Sequence, residues 1–179
     1  MEKIHKIPAV KDGETFIVAG IEFVKFPEIN GTVPAVAKKC LFRAEFGENN
    51  DFRCSKVLNR LANEVLPLIA EAVGEENICS IKTDLTTLDG MKPYGVMESK
   101  VSLPTLDFYR ENAEIFDKHP VKEWWWLATP ESAHPHDDPD WVTCVAPSGC
   151  VYYGGFRNYD LGVRPFLSFN SSIFESSEN

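Results

Sequence analysis

Residues 55–74 read SKVLNRLANEVLPLIAEAVG, and no other segment restricts the fold so firmly. Val57, Leu58, Leu61, Ala62, Val65, Leu66 and Ile69 recur at helical spacing behind Ser55, which stands where an N-cap would stand. The spacing predicts a helix with one apolar face, and such a face has to be covered. Pro67 has no amide hydrogen and its ring crowds the preceding turn, so the helix is expected to kink or restart there; Gly74 is a natural stop. A two-part helix follows.

Around this helix the pattern turns to strands. FIVAGIEFVKF, from Phe16 to Phe26, is β-rich and broken at Gly20, which predicts two short strands joined at a tight turn. VPAVAKKCLFRAEF predicts a third strand over Ala37 to Phe46, so the opening third reads as a small antiparallel sheet. TDLTTLDGM reads as a polar strand end entering a turn at Asp89-Gly90. KVSLPTLDFYRENAEIF reads as a short strand and a second helix capped by Thr105, with Leu106, Tyr109, Ala113 and Phe116 as its buried stripe. Beyond Pro120 short β segments run to an acidic, serine-rich tail at 171–179, which is expected to fray. With no repeat and no long linker, the reading is one domain over 1–179, its ordered core at 16–168.

The chain has 179 residues, 44% of them hydrophobic, enough for one well-packed core. A net charge of -9 would repel a phosphate backbone, and the eighteen Lys and Arg form no run that could neutralise one, so nucleic acid is not an expected partner. The opening MEKIHKIPAVKDGETF holds no signal-peptide core, and nowhere is there an apolar run long enough to span a membrane. A cytoplasmic protein, or a component of a phage particle, is expected. Five cysteines without a CxxC pair argue for reduced, mostly buried thiols. Cys144 and Cys150 flank VAPSG, and a register with Val145 opposite Val151 makes them diagonal rather than paired.

The last third carries a resemblance. WWWLATP, VAPSGCVYYGG and GVRPFLSF resemble the ending of a large family of uncharacterised bacterial and phage domains, which typically read WWLRSPG, an alternating hairpin and GVRPAL. CSKVLNRLANEVLPLI, LTTLDG and KVSLPTLDFYREN are similar, in the same order, to that family's helix, its DG turn and its KVFLLSLEEA segment. The family is related to the C-type-lectin-like fold of formylglycine-generating-type domains and of the variable proteins of diversity-generating retroelements. The resemblance implies an α+β domain, two helices on a twisted, mainly antiparallel sheet, with the ligand face on irregular C-terminal segments. Two departures stand out: Ala128 replaces the arginine of WWLRSP, and ESAHPHDDPDW is longer and more acidic than the usual loop.

Three groups of residues could carry chemistry. In a strand, Trp124 and Trp126 share one face while Trp125 and Leu127 take the other, so the indoles divide: Trp124 and Trp126 are assigned structural roles, Trp125 a place at a ligand. His134, His136 and Asp138, in a segment that Pro135 and Pro139 keep extended, offer a nitrogen-and-oxygen set for a divalent metal, the one cofactor considered. A solvated acidic loop is the other reading. Tyr152, Tyr153, Arg157, Asn158 and Tyr159 have the composition of an adaptable recognition surface, because rigid amphipathic rings give contact area at low entropic cost. Arg164, between Val163 and Pro165, is read as a buried structural arginine. His5 and His119 stand isolated, and no nucleophile or dinucleotide motif is present.

The expected function is a non-catalytic module that binds a protein or small-molecule ligand through the tyrosine-rich segment. Two other classes stay open: a metal-dependent enzyme using the His134–Asp140 loop, and a structural subunit of a larger phage assembly.

Overall fold

The computed structural model describes residues 6–176; His5 and the end of the tail, 177–179, lie outside the described residues. The chain is a mixed α+β protein of mostly antiparallel sheets with one long helix. That helix is built as its sequence requires. Ser55 Oγ accepts from the Leu58 amide at 3.0 Å, α1 runs over Lys56–Arg60, a π segment follows at Leu61–Val65, and α2 occupies Leu66–Val73 before Gly74 ends it. Pro67 cannot donate to the ladder, and the wider π turn just upstream absorbs the missing bond.

Two sheets do most of the framing. β1 (Thr15–Val18) and β2 (Ile21–Lys25) meet at Ala19-Gly20, and β3 (Thr32–Ala37) follows through Asn30-Gly31. Asn30 and Gly31 have φ of 49° and 77°, the left-handed pair that two-residue hairpins favour and that Asn-Gly reaches cheaply. β11 (Phe166–Asn170) pairs with β3 and completes a sheet in the order β1-β2-β3-β11. The second sheet comprises β4 (Phe42–Ala44), β7 (Trp125–Pro130), β8 (Trp141–Val145), β9 (Val151–Phe156) and β10 (Leu161–Val163). Its order is β4-β10-β7-β8-β9, antiparallel except where β10 meets β7. β5 (Ile81–Asp84) and β6 (Val96–Ser99) form a separate ribbon.

Several expectations need correction. The strand predicted over Ala37 to Phe46 is two strands in different sheets, β3 and β4. Lys38 and Lys39 between them cannot be buried, and the chain crosses there: the Ala37 amide bonds the Pro165 carbonyl while the Leu41 amide bonds that of Val163. The strand expected before Thr105 reduces to a single bridge from Ser102 to Phe166, ahead of Pro104. The helix capped by Thr105 is broken at Asn112 into α3 (Leu106–Glu111) and α4 (Ala113–Asp117), with Ala113 only half-buried. The ordered core also starts earlier and ends later than 16–168, since Ile7 and Ile173 are buried and Ile7 bridges Phe174. Only Cys144 of the five thiols is buried; Cys54 and Cys150 are exposed. All five are free, and the Val145–Val151 register holds.

Alternation along the strands builds two cores at once. Phe23, Ala35, Trp126, Ala128 and Cys144 join the long helix's Val57, Leu61, Val65 and Ile69 in the first. Val24, Val36, Trp125, Leu127 and Val145 point the other way, where Leu106, Tyr109 and Phe116 from α3 and α4 meet them. The inner strands are thus buried on both faces, which is why VPAVA and WWLATP read as unbroken apolar runs. Trp126 illustrates the energetics: fully buried, with Nε1 donating to the Ala44 carbonyl at 2.9 Å, it removes enough surface to stabilise by roughly 4–6 kcal/mol. Among the described residues no helix is long and apolar enough to cross a membrane.

Candidate functional site

β9 is an edge strand, so one side of its backbone has no partner strand and its side chains lie open. Tyr152, Tyr153 and Tyr159 are 49%, 64% and 50% exposed. Tyr152 meets Trp124 edge-on, ring centroids 4.8 Å apart, and Phe156 lies 6.0 Å from Tyr159. Trp124, Tyr152, Gly155, Tyr159 and Leu161 line a groove of about 270 Å³ with Cys144 at its base. Gly155 lets β9 lie close against β8 and Trp126, because a Cβ there would stand 2.7 Å from the Trp126 ring and 2.9 Å from the Val142 carbonyl.

The tyrosine-rich segment does not act as one patch. Tyr152 and Tyr159 share the groove; Tyr153, next along the strand, and Asn158 are exposed outside it. Arg157 is committed to a neighbour: Nε donates to Asp140 Oδ1 at 2.7 Å, and the two residues also share a backbone bond of 2.8 Å. Next to the groove residues in sequence, Asp160 and Glu123 are held by Arg43, whose Nη2 donates to the Asp160 carbonyl at 2.6 Å and whose Nη1 lies 3.7 Å from Glu123.

The tryptophans divide as alternation predicts, but Trp124 rather than Trp125 is the exposed one. Trp125, expected at a ligand surface, is only 2% exposed, its ring stacked 5.8 Å from Phe116. Trp124, expected to be structural, is 39% exposed and forms a groove wall. The reason is position: Trp124 precedes the first residue of β7, beyond the reach of the core that covers Trp126. Arg164 is buried as expected, its Nε donating to the Ala37 carbonyl at 2.9 Å, and no carboxylate pairs with it among the described residues.

The acidic loop is folded back in turns, contrary to the extended form expected from its prolines, with the His136 amide donating to the Ala133 carbonyl at 2.9 Å. Asp89, from the turn after β5, holds it: Oδ2 accepts from Ser132 Oγ at 2.6 Å and contacts His136 Nδ1 at 2.8 Å, while Thr87 donates to Oδ1. Hydrogen bonds from Ser132, Thr87 and His136 hold the Asp89 carboxyl well below the usual carboxylate range. Asn50 anchors the loop from beneath, donating to the Ser132 and Trp141 carbonyls at 2.8 and 3.0 Å and accepting from Tyr94 Oη. His134 and Asp138 are exposed and apart from this network, and among the described residues no three His, Cys, Asp or Glu side chains stand close enough to hold an ion.

Asp89 and Asn50 are the positions that sequence reasoning did not connect to the loop, and nothing local to LTTLDG or ENNDF points across so many residues. Set beside family models, curated proteins and solved structures, the chain finds no match.

Proposed function

We propose that this chain is a non-catalytic binding module of bacterial or phage origin, with a C-type-lectin-like arrangement whose recognition surface is the groove between Trp124, Tyr152 and Tyr159. The observation that carries the reading is that groove: three large amphipathic rings left half in water near a sheet edge, in a protein that buries Trp125, Trp126 and most of its phenylalanines. The fold reading is supported by the order of helix, Asp89-Gly90 turn, Thr105-capped helix and closing strands, which follows the order of the motifs in the family it resembles.

The groove presents apolar faces with hydroxyl tips, suited to a sugar ring or an extended peptide. Wild-type protein and a Tyr152→Ser/Tyr159→Ser variant are to be screened on glycan and peptide arrays, with circular dichroism to verify folding. Ligands bound by the wild type and lost by at least about tenfold in the variant support the proposal. A set of ligands that both proteins bind equally would end it. If light scattering instead finds wild-type oligomers that the variant does not form, the face serves assembly.

A further inference from the structure

On the face of β7 opposite that groove, a second cavity of about 310 Å³ lies between α3, α4, the Ala146–Gly149 turn and Arg164. We infer that it is a binding site for a small organic monocarboxylate, gripped by the Arg164 guanidinium and packed against Trp125. Arg164 is 2% exposed, yet its one hydrogen bond among the described residues is the Nε contact to Ala37, and the buried Nη2 has no partner. A charged fork with idle donors is expensive to keep inside a protein, and the expense is recovered when an anion arrives.

What surrounds the guanidinium leaves that role vacant. The Trp125 and Phe116 rings stand 4.5 and 5.4 Å from its central carbon, favourable for a cation but offering no hydrogen-bond acceptor. Burial pushes the neighbouring Cys40 thiol up to about 12, so at neutral pH it supplies no negative charge. Burial pulls Arg164 down to about 10, which still leaves it a cation at neutral pH. The guanidinium, which lines the cavity, can offer a carboxylate a charge-assisted hydrogen bond. Tyr109, Phe116, Trp125 and Val145 line the cavity beside the polar Asp117, His119 and Ser148, so it has room for a small acid with an apolar body. Asp117 at the same cavity disfavours a dianion, which makes phosphate a poor occupant.

The test titrates the full chain with benzoate, 3-phenylpropionate, their amides, inorganic phosphate and a Phe-terminated tripeptide with free or amidated end, followed by tryptophan fluorescence and calorimetry. Saturable binding of the acids is expected, with the amides and phosphate weaker by about tenfold or more. A preference for the free-ended tripeptide over the small acids assigns the site to a protein C-terminus; the reverse assigns it to a free acid. R164K weakens the acids about tenfold, Ser148→Trp blocks entry, and D117N tightens the acids about two- to fivefold without affecting the amides. Should R164K fail to fold, the other two changes, at exposed positions, decide the matter. Absence of saturable binding up to ~10 mM, or acids and amides binding alike, overturns the inference.

Discussion

The loop from Ser132 to Asp140 carries its charge at the surface, where His136 meets Asp89 and Asp140 meets Arg157; Arg164 carries its charge inside, against two rings and one carbonyl. Water can replace each partner in the loop, so its ion pairs contribute little and its sequence is free to vary. Nothing replaces the partners of Arg164, and its surroundings are correspondingly demanding. The crowded acidic stretch is therefore the forgiving one, and the lone arginine between Val163 and Pro165 is where energy is concentrated.

Substitutions can break or sharpen this contrast. The largest effect is expected at Arg164. Arg164→Ala opens a void beneath Trp125 and Phe116 and orphans the Ala37 carbonyl, lowering stability in urea titration by about 3 kcal/mol. Arg164→Met, which keeps most of the volume and removes the charge, is expected to cost only about 1 kcal/mol. Equal losses in the two variants would show that volume is not what the site depends on. In the loop, Asp140→Ala removes the side-chain bond to Arg157 and is expected to cost about 0.5 kcal/mol, since both side chains are partly in water. A loss as large as that of Arg164→Ala would erase the contrast.

Acid titration probes the loop further. The Asp89 carboxyl is depressed, so folding binds fewer protons there than the unfolded chain does. Its contribution is present above the unfolded value of about 3.9 and fades as pH falls below it. The stability gap between wild type and Asp89→Asn should accordingly shrink between pH 6 and pH 3; a gap constant with pH contradicts the assignment. Glu131 has the opposite sign. Burial first, then Asp137 and Asp89, raise its carboxyl, so stability is full below the unfolded value of about 4.3 and is lost as pH rises through the folded one. Glu131→Gln should be more stable than wild type at pH 7 by ~0.3 kcal/mol, after allowance for solvent screening, and indistinguishable at pH 3. This is the smallest effect, and differential scanning calorimetry at the two pH values can resolve it.

Local chemistry made much of the fold legible. Ser55, Pro67 and Gly74 act within a turn of their own positions, so the cap, the interruption and the stop of the long helix could all be read. Thr105 and the Asp89-Gly90 turn are of the same kind. Asn30-Gly31 is an equally local signal for the β2–β3 hairpin, and the Lys38-Lys39 pair is the local mark of the break between β3 and β4. Alternation divided Trp125 from Trp126 between two faces, but which indole stays wet depends on where the covering layer ends, and that edge belongs to other parts of the chain. Likewise the composition of the tyrosine segment marked a surface, while only the placement of β9 at the sheet edge decided that Tyr152 and Tyr159 would share a groove and Tyr153 would not.

By itself, then, the sequence determined the elements: helix period, caps, hairpin turns and strand alternation, because each is settled by sterics and hydrogen bonding among residues a few positions apart. Tertiary structure alone decided what those elements enclose. Asp89 reaches a loop 47 positions away, and Arg164 finds its carbonyl across 127. Such partners are chosen by how apolar faces stack when two sheets and a helix are buried together, and no short stretch of sequence carries that geometry.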